Sequence, residues 1–160
     1  MVEIIVRRRS LWSLIAFIAV VLGGGIAIGM ATGPGAWFAG LAKPSFNPPN
    51  WVFAPVWSTL YVMIAIAGWL EWTHDRSSAA MKLWWVQLVL NFLWSPTFFG
   101  LHRIDLALGV IGALLVVIWA FVALTARRQP AAALLFAPYG LWVAFASALN
   151  LAFLVLNPGG

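Results

Sequence analysis

The stretch Leu106–Leu124, LALGVIGALLVVIWAFVAL, contains no charged side chain. As an α-helix rising 1.5 Å per residue it would be about 28 Å long, which matches a hydrocarbon core of about 30 Å. A helix satisfies its backbone hydrogen bonds internally, whereas lipid offers no partners for them. The stretch therefore predicts a helix that crosses a membrane.

Four further apolar runs of similar length occur along the chain, so we predict an all-α membrane protein, a bundle of five transmembrane helices. One transmembrane domain covers residues 1–160, and its predicted spans are 11–31, 51–70, 81–99, 104–126 and 131–156. Residues 33–50 form the longest connection and are predicted to be a loop lid. The other connections are short, so successive helices should be antiparallel neighbours.

The composition supports a lipid-facing surface. Of the 160 residues, 64% are hydrophobic and 8% are charged, whereas a soluble domain carries about 25% charged residues. The absence of cysteine excludes disulfides and thiolate sites. The net charge of +5 lies in short clusters at the ends of apolar runs. No contiguous basic face is visible, so the bilayer is the expected partner and nucleic acid is not.

The distribution of basic residues predicts the orientation in the membrane. With five spans, Lys43 and Arg103 fall on one side, and seven basic residues fall on the other. For insertion through an inner-type membrane, where basic residues are enriched on the cytoplasmic side, the N-terminus should face the cytoplasm and the C-terminus the opposite side. The seven are Arg7, Arg8, Arg9, Arg76, Lys82, Arg127 and Arg128.

The interior of the predicted spans holds amides and aromatic rings. No ionisable group lies at mid-membrane depth, so we expect no metal site and no acid–base catalytic group. Helical spacing groups the polar and aromatic residues into stripes that could line a cavity for a large, flat, mostly apolar ligand. The same amides could instead join helices to each other. The stripes contain Trp57 and Tyr61; Trp84, Gln87, Asn91, Trp94 and Ser95; and Tyr139, Trp142, Ala146 and Asn150.

Glycine and proline add two expectations. Gly25, Gly29 and Gly33 form overlapping GxxxG spacings, which permit close helix packing within the bundle or between protomers. Prolines can kink a helix by removing a backbone hydrogen bond, and a kinked bundle leaves internal space. The prolines within or near the ends of spans are Pro55, Pro96 and Pro138.

Three motifs resemble those of a known family. Residues 43–57 read KPSFNPPNWVFAPVW, residues 87–100 read QLVLNFLWSPTFFG, and residues 138–142 read PYGLW, followed by Ala146, Leu149 and Asn150. In this order they resemble the signatures of the translocator protein family, also called the tryptophan-rich sensory protein (TspO) or peripheral benzodiazepine receptor family. The resemblance covers the chain from about Gly33 to Asn150.

The resemblance implies a dimeric bundle of five helices with a pocket beneath the first loop. It implies a receptor or carrier that binds porphyrins, haem and related tetrapyrroles as ligands, without a required cofactor, in a sensory or regulatory role in tetrapyrrole or stress metabolism. Two pocket tryptophans, matching Trp57 and Trp142, imply an alternative function, the light- and oxygen-dependent degradation of porphyrin. By resemblance the pocket is lined by Trp57, Asn91, Trp94, Trp142 and Ala146, and the lid and rim contain Trp37, Phe38, Phe46 and Trp51.

The sequence departs from the family's pattern at two places, which concern the lid and the binding of sterols. Phe46 stands where the family usually has tryptophan, so a hydrogen-bond donor is lost at the lid. Residues 149–156 lack the tyrosine and basic residue of the cholesterol-recognition pattern, which argues against specific sterol binding. The short neutral tail is typical of a bacterial member, so a multi-pass protein of the inner or outer bacterial membrane is expected. A third alternative, a structural partner without a ligand, would have a filled core.

Overall fold

The computed structural model describes residues 2–158, with side chains described for residues 11–158. Within that part all regular structure is helical, which confirms the predicted all-α class. A 3₁₀ turn, Asn50–Val52, precedes α3, and a π-helical turn, Pro96–Gly100, continues α4. The helices are α1 Val2–Ala31, α2 Ala36–Gly40, α3 Phe53–His74, α4 Ala79–Ser95, α5 Ile104–Thr125 and α6 Pro130–Leu156.

Four helical segments of the described chain are long and apolar enough to cross a membrane. They are Leu11–Ala31, Asn50–His74, Ile104–Thr125 and Pro130–Leu156. Helix α4 has 17 residues, fewer than the roughly 20 that a span needs. The count of five spans therefore stays a prediction. So does the orientation, because the side chains of Arg7, Arg8 and Arg9 lie outside the described residues.

The five long helices are arranged around a common interior. Helix α1 packs on α3, α3 on α6, α6 on α5 and α5 on α4, while α4 makes lighter contacts with α1 and α3. Of the successive long helices, α3 and α4 are therefore not close neighbours, in contrast to the expectation for short connections. Helices α3 and α4 meet near their connection, where the Trp84 indole lies over Gly68 and donates to the carbonyl oxygen of Ile64 at 3.0 Å.

Large apolar side chains fill the end of the bundle that holds the α3–α4 and α5–α6 connections. Ile64, Trp84, Ile118, Phe121 and Phe136 are all inaccessible to solvent. The rings of Phe121 and Phe136 are 4.1 Å apart between centroids. This close packing fixes the helices at one end, and the space in the bundle lies at the other.

The turn between α3 and α4 shows why α4 begins where it does. The Ser78 hydroxyl oxygen accepts a hydrogen bond from the backbone N–H of Met81 at 2.9 Å and therefore caps the helix. The same hydroxyl donates to the buried Glu71 carboxylate at 2.6 Å. The cap therefore also ties the end of α3 to the start of α4.

The three prolines have different effects. Pro55 is the third residue of α3, near the start of the helix, where a proline is tolerated because the first backbone N–H groups have no partner within the helix. Pro96 begins the π-helical turn after α4. Pro138 lies inside α6, where its ring leaves a backbone carbonyl without its usual donor.

We predict that Gly68→Ala destabilises the fold. A methyl group at this position would overlap the Trp84 indole, and overpacking of this kind costs about 1–3 kcal/mol. The midpoint of thermal unfolding in detergent, followed by near-UV circular dichroism, should fall. Gly109→Ala is the matched control, because a methyl group there meets nothing within 4 Å, and its midpoint should be unchanged or raised. Equal midpoints for the two variants would contradict the prediction.

Candidate functional site

A cavity of about 390 Å³ lies between the helices at the end covered by the long loop. All five long helices contribute to its wall, and Pro34, Phe38 and Asn47 of the loop lie at its outer end. Along α3 the lining runs from Phe53 to Tyr61, which is about 12 Å of helix. The volume lies near the lower end of the range for small-molecule sites, about 300–1,000 Å³.

Aromatic rings form much of the wall. Trp57 on α3, Trp94 on α4 and Trp142 on α6 all line the cavity. Phe53 meets Trp142 edge to face at a centroid distance of 5.9 Å, and Phe98 lies 5.3 Å from Trp94. Indole and phenyl faces of this kind stack on flat apolar ligands.

A chain of hydrogen bonds closes the inner end of the cavity. The Tyr61 hydroxyl donates to Asn91 Oδ1 at 3.4 Å, and Asn91 Nδ2 donates to the Tyr139 hydroxyl oxygen at 2.8 Å. Tyr139 in turn donates to Gln87 Oε1 at 2.9 Å. Gln87 and Tyr139 are fully buried. We call these four residues the floor relay; it joins α3, α4 and α6.

A second amide joins helices higher in the cavity wall. The Trp94 indole N–H donates to Asn150 Oδ1 at 3.0 Å, and Asn150 Nδ2 donates to the carbonyl oxygen of Ile104 at 3.0 Å. The amide of Asn150 is therefore committed to holding α4, α5 and α6 together. Asn91 also joins helices. Because Asn91 and Asn150 both line the cavity, each amide holds helices together and contributes to the cavity wall.

Two buried polar atoms of the lining residues lack partners in the described part of the chain. They are the indole nitrogen of Trp142, a donor, and Oδ1 of Asn47, an acceptor. A buried polar group without a hydrogen bond costs about 1–3 kcal/mol. A ligand with an acceptor near Trp142 and a donor near Asn47 would remove both costs.

The lining is uncharged. None of the described residues that form it is Lys, Arg, His, Asp or Glu. At the loop end, Lys43 lies over the face of Phe38, a lining residue, at 5.3 Å from the ring centroid. Arg103 pairs with Asp105 at 2.7 Å, and the hydrogen bond between them raises the pKa of the guanidinium. The cavity therefore suits a neutral, apolar group.

The loop is attached to the bundle at two points. Asn157, which follows α6, accepts from the backbone N–H of Ala42 at 2.9 Å and donates to its carbonyl oxygen at 3.1 Å. Trp37 of α2 stacks on His102 at a centroid distance of 4.3 Å. These contacts hold the loop over the outer end of the cavity.

The structure brings together most of the predicted site residues. Trp51 is 73% exposed and Phe46 is 49% exposed, and neither lines the cavity. Trp51 lies in the 3₁₀ turn before α3, which places its side chain outside the bundle. The predicted residues that line the cavity are Phe38, Trp57, Tyr61, Asn91, Trp94, Ser95, Trp142, Ala146 and Asn150. Trp84, Gln87 and Tyr139 of the predicted stripes are fully buried in the bundle and do not line it.

The predicted packing glycines differ from one another. Gly25 lies against the Tyr61 ring of α3, so it serves packing within the bundle. A methyl group at Gly29 would meet nothing within 4 Å, and Gly29 and Gly33 line the cavity. Gly24, which was not predicted, packs on Phe92: a methyl group there would lie 2.6 Å from the ring.

Several lining residues were missed by helical spacing. Phe98 and Phe99 line the cavity from the π-helical turn, whose wider turn shifts every following side chain around the axis. Asn47 belongs to an irregular loop, where no periodicity applies. Its place in the quoted motif at residues 43–57 was the one signal for it.

Comparison with known proteins finds one family and several relatives that match most of the chain. Residues 16–156 match the TspO/MBR family. The chain is 36% identical over 157 residues to the tryptophan-rich protein TspO of Archaeoglobus fulgidus, covering 92% of this chain and 99% of that one. It is 34% identical over 150 residues to the tryptophan-rich sensory protein of Cereibacter sphaeroides (91% and 92%). It is 39% identical over 122 residues to the translocator protein of Homo sapiens (71% and 70%).

We predict that Tyr139→Phe destabilises the protein more than Tyr61→Phe does. Loss of the Tyr139 hydroxyl leaves Asn91 Nδ2 and Gln87 Oε1 without their partners in the interior, at a cost of about 1–3 kcal/mol. The Tyr61 hydroxyl makes a single, longer bond of 3.4 Å. Chemical denaturation in mixed micelles measures both variants, and an equal loss of stability would contradict the role of the floor relay.

Proposed function

Because the chain belongs to the TspO/MBR family, we propose that it is a membrane receptor or carrier for porphyrins, haem and related tetrapyrroles. The ligand binds in the aromatic cavity, and no separate cofactor is required. The name of the Cereibacter sphaeroides relative, a sensory protein, supports a sensory or regulatory role. Binding of the ligand is then the signal that the protein reports.

The observation that carries the proposal is the position of the indoles around one uncharged cavity. Trp57 and Trp142 come from neighbouring helices and Trp94 from a third. A tetrapyrrole offers a wide flat apolar face to such rings, and it carries polar groups at its edge. The unpaired N–H of Trp142 is a hydrogen-bond donor for an edge group of this kind.

The membrane arrangement is part of the proposal. Helix α4 continues without a break into the turn Pro96–Gly100. We propose that the two together cross the membrane, which with the four long apolar segments makes five spans. An odd number of spans places the termini on opposite sides of a bacterial cell membrane. The bonds from Asn157 to Ala42 support this arrangement, since they place the end of α6 beside the loop. We further propose a homodimer, with no specific sterol site.

We predict that replacing the two cavity indoles weakens porphyrin binding. In Trp57→Leu/Trp142→Leu, two stacking faces are lost, each worth about 0.5–1.5 kcal/mol, so the affinity for protoporphyrin IX should fall roughly tenfold. Quenching of the remaining tryptophan fluorescence measures the affinity. The control Trp12→Leu/Trp119→Leu removes two indoles from exposed positions and should bind as the wild type does. Unchanged affinity in the first variant would refute the site.

A second candidate function is oxygen-dependent photodegradation of the bound porphyrin. The observation that favours it is that Trp57 and Trp142 both line the cavity, so both indoles would lie beside a ligand that absorbs light. Porphyrin would act as the sensitiser and O₂ as the oxidant, without an acid–base group from the wall.

Illumination of the protoporphyrin complex under air tests this function. We predict that the porphyrin absorbance decays faster in the wild type than in Trp57→Phe/Trp142→Phe at equal bound porphyrin, and that argon abolishes the difference. Mass spectrometry identifies the products. If free tryptophan or the variant yields the same product at the same rate, the reaction is not a function of the cavity.

A further inference from the structure

We propose that Lys43 is the cation that pairs with ionised carboxylate groups of the ligand, at the loop end of the cavity. The ligand therefore enters with its uncharged edge first and keeps its carboxylates at the membrane surface. This inference rests on the proposed function, because it concerns ligands that combine an apolar ring system with carboxylates. Lys43 would supply the positive charge that the described lining residues lack.

The cavity itself offers no positive charge to neutralise a carboxylate. None of the described lining residues is a cation, and an unpaired charge inside an apolar site is strongly unfavourable. At the inner end the Tyr61 hydroxyl is bonded to Asn91 Oδ1, and the unpaired N–H of Trp142 is a donor without charge. The faces of the surrounding aromatic rings carry partial negative charge, which disfavours a carboxylate. A carboxylate is therefore more stable outside the wall.

Lys43 is placed to receive it. The residue is exposed, and its Nζ lies 5.3 Å from the centroid of Phe38, a ring that lines the cavity. One phenyl ring thus separates the ammonium group from the ligand space. The Lys43 Nζ donates to the carbonyl oxygens of Ala39 at 3.0 Å, Phe38 at 3.3 Å and Leu41 at 3.4 Å. These acceptors are uncharged, and a ligand carboxylate would replace one of the two longer bonds. These bonds hold it at the end of α2 without cancelling its charge.

The other groups at this end of the bundle are already engaged. Arg103 donates to both carboxylate oxygens of Asp105, at 2.9 and 2.7 Å. His102 stacks on Trp37. Lys43 has no carboxylate partner among the described residues. Lys82 and Arg76 lie at the opposite end of the bundle, near the α3–α4 connection, so they cannot serve the same ligand.

A two-by-two experiment separates the charge of Lys43 from its bonds to α2. Affinities are measured for protoporphyrin IX, which carries two ionised carboxylates at pH 7, and for its dimethyl ester, which carries none. The wild type, Lys43→Gln and Lys43→Arg are compared in phosphatidylcholine nanodiscs, where no anionic lipid competes. Lys82→Gln is the matched control, because it removes the same charge far from the cavity.

We expect Lys43→Gln to weaken binding of the diacid about fivefold, the size of a partly exposed ion pair, and to leave binding of the ester unchanged. Lys43→Arg and Lys82→Gln should both keep the wild-type ratio of the two affinities. An equal loss for both ligands in Lys43→Gln would show that Lys43 only caps α2, and no loss for either would also overturn the inference. If the wild type binds neither ligand, the proposed function fails, and this inference fails with it.

Discussion

The hydrogen bonds that Tyr139 makes with Asn91 and Gln87 join α4 to α6 in the middle of an apolar bundle. On one side of them the interior is filled by fully buried side chains such as Trp84 and Phe121. On the other side the same helices enclose a cavity of about 390 Å³. Most buried polar atoms in proteins are paired, and these bonds constrain the distance between α4 and α6 at this level. That distance determines where close packing ends and open space begins.

Most polar groups in the wall are used to hold the helices, which leaves few for a ligand. Asn150 bonds Trp94 and the backbone of α5, and Ser95 shares a hydrogen bond of 2.8 Å with Thr32. A ligand in this cavity would therefore meet mainly aromatic faces, with a small number of polar contacts. This balance is the usual one for small-molecule sites, and it favours flat, apolar ligands over charged ones.

The charges of the described chain lie at the ends of the bundle. The interior and the loop end therefore offer different kinds of contact. The interior provides apolar and aromatic contact, whereas the loop end, with Lys43 and Arg103, faces polar surroundings. The loop is attached there by Asn157 and by the stack of Trp37 on His102. The cavity and its cover thus depend on different contacts, and a substitution in one need not disturb the other.

The sequence by itself determined the helical class, because long uncharged runs can satisfy their backbone bonds in lipid only as helices. Spacing within one helix also brought Trp57 and Tyr61, or Asn91 and Ser95, to the same wall, since side-chain direction along a regular helix follows from residue number. Only the tertiary structure decided which residues leave the site or join it. Trp51 and Phe46 lie outside the wall, while Phe98 joins it from a π-helical turn. Irregular backbone has no fixed period, and the distance between helices arises from packing across the whole bundle.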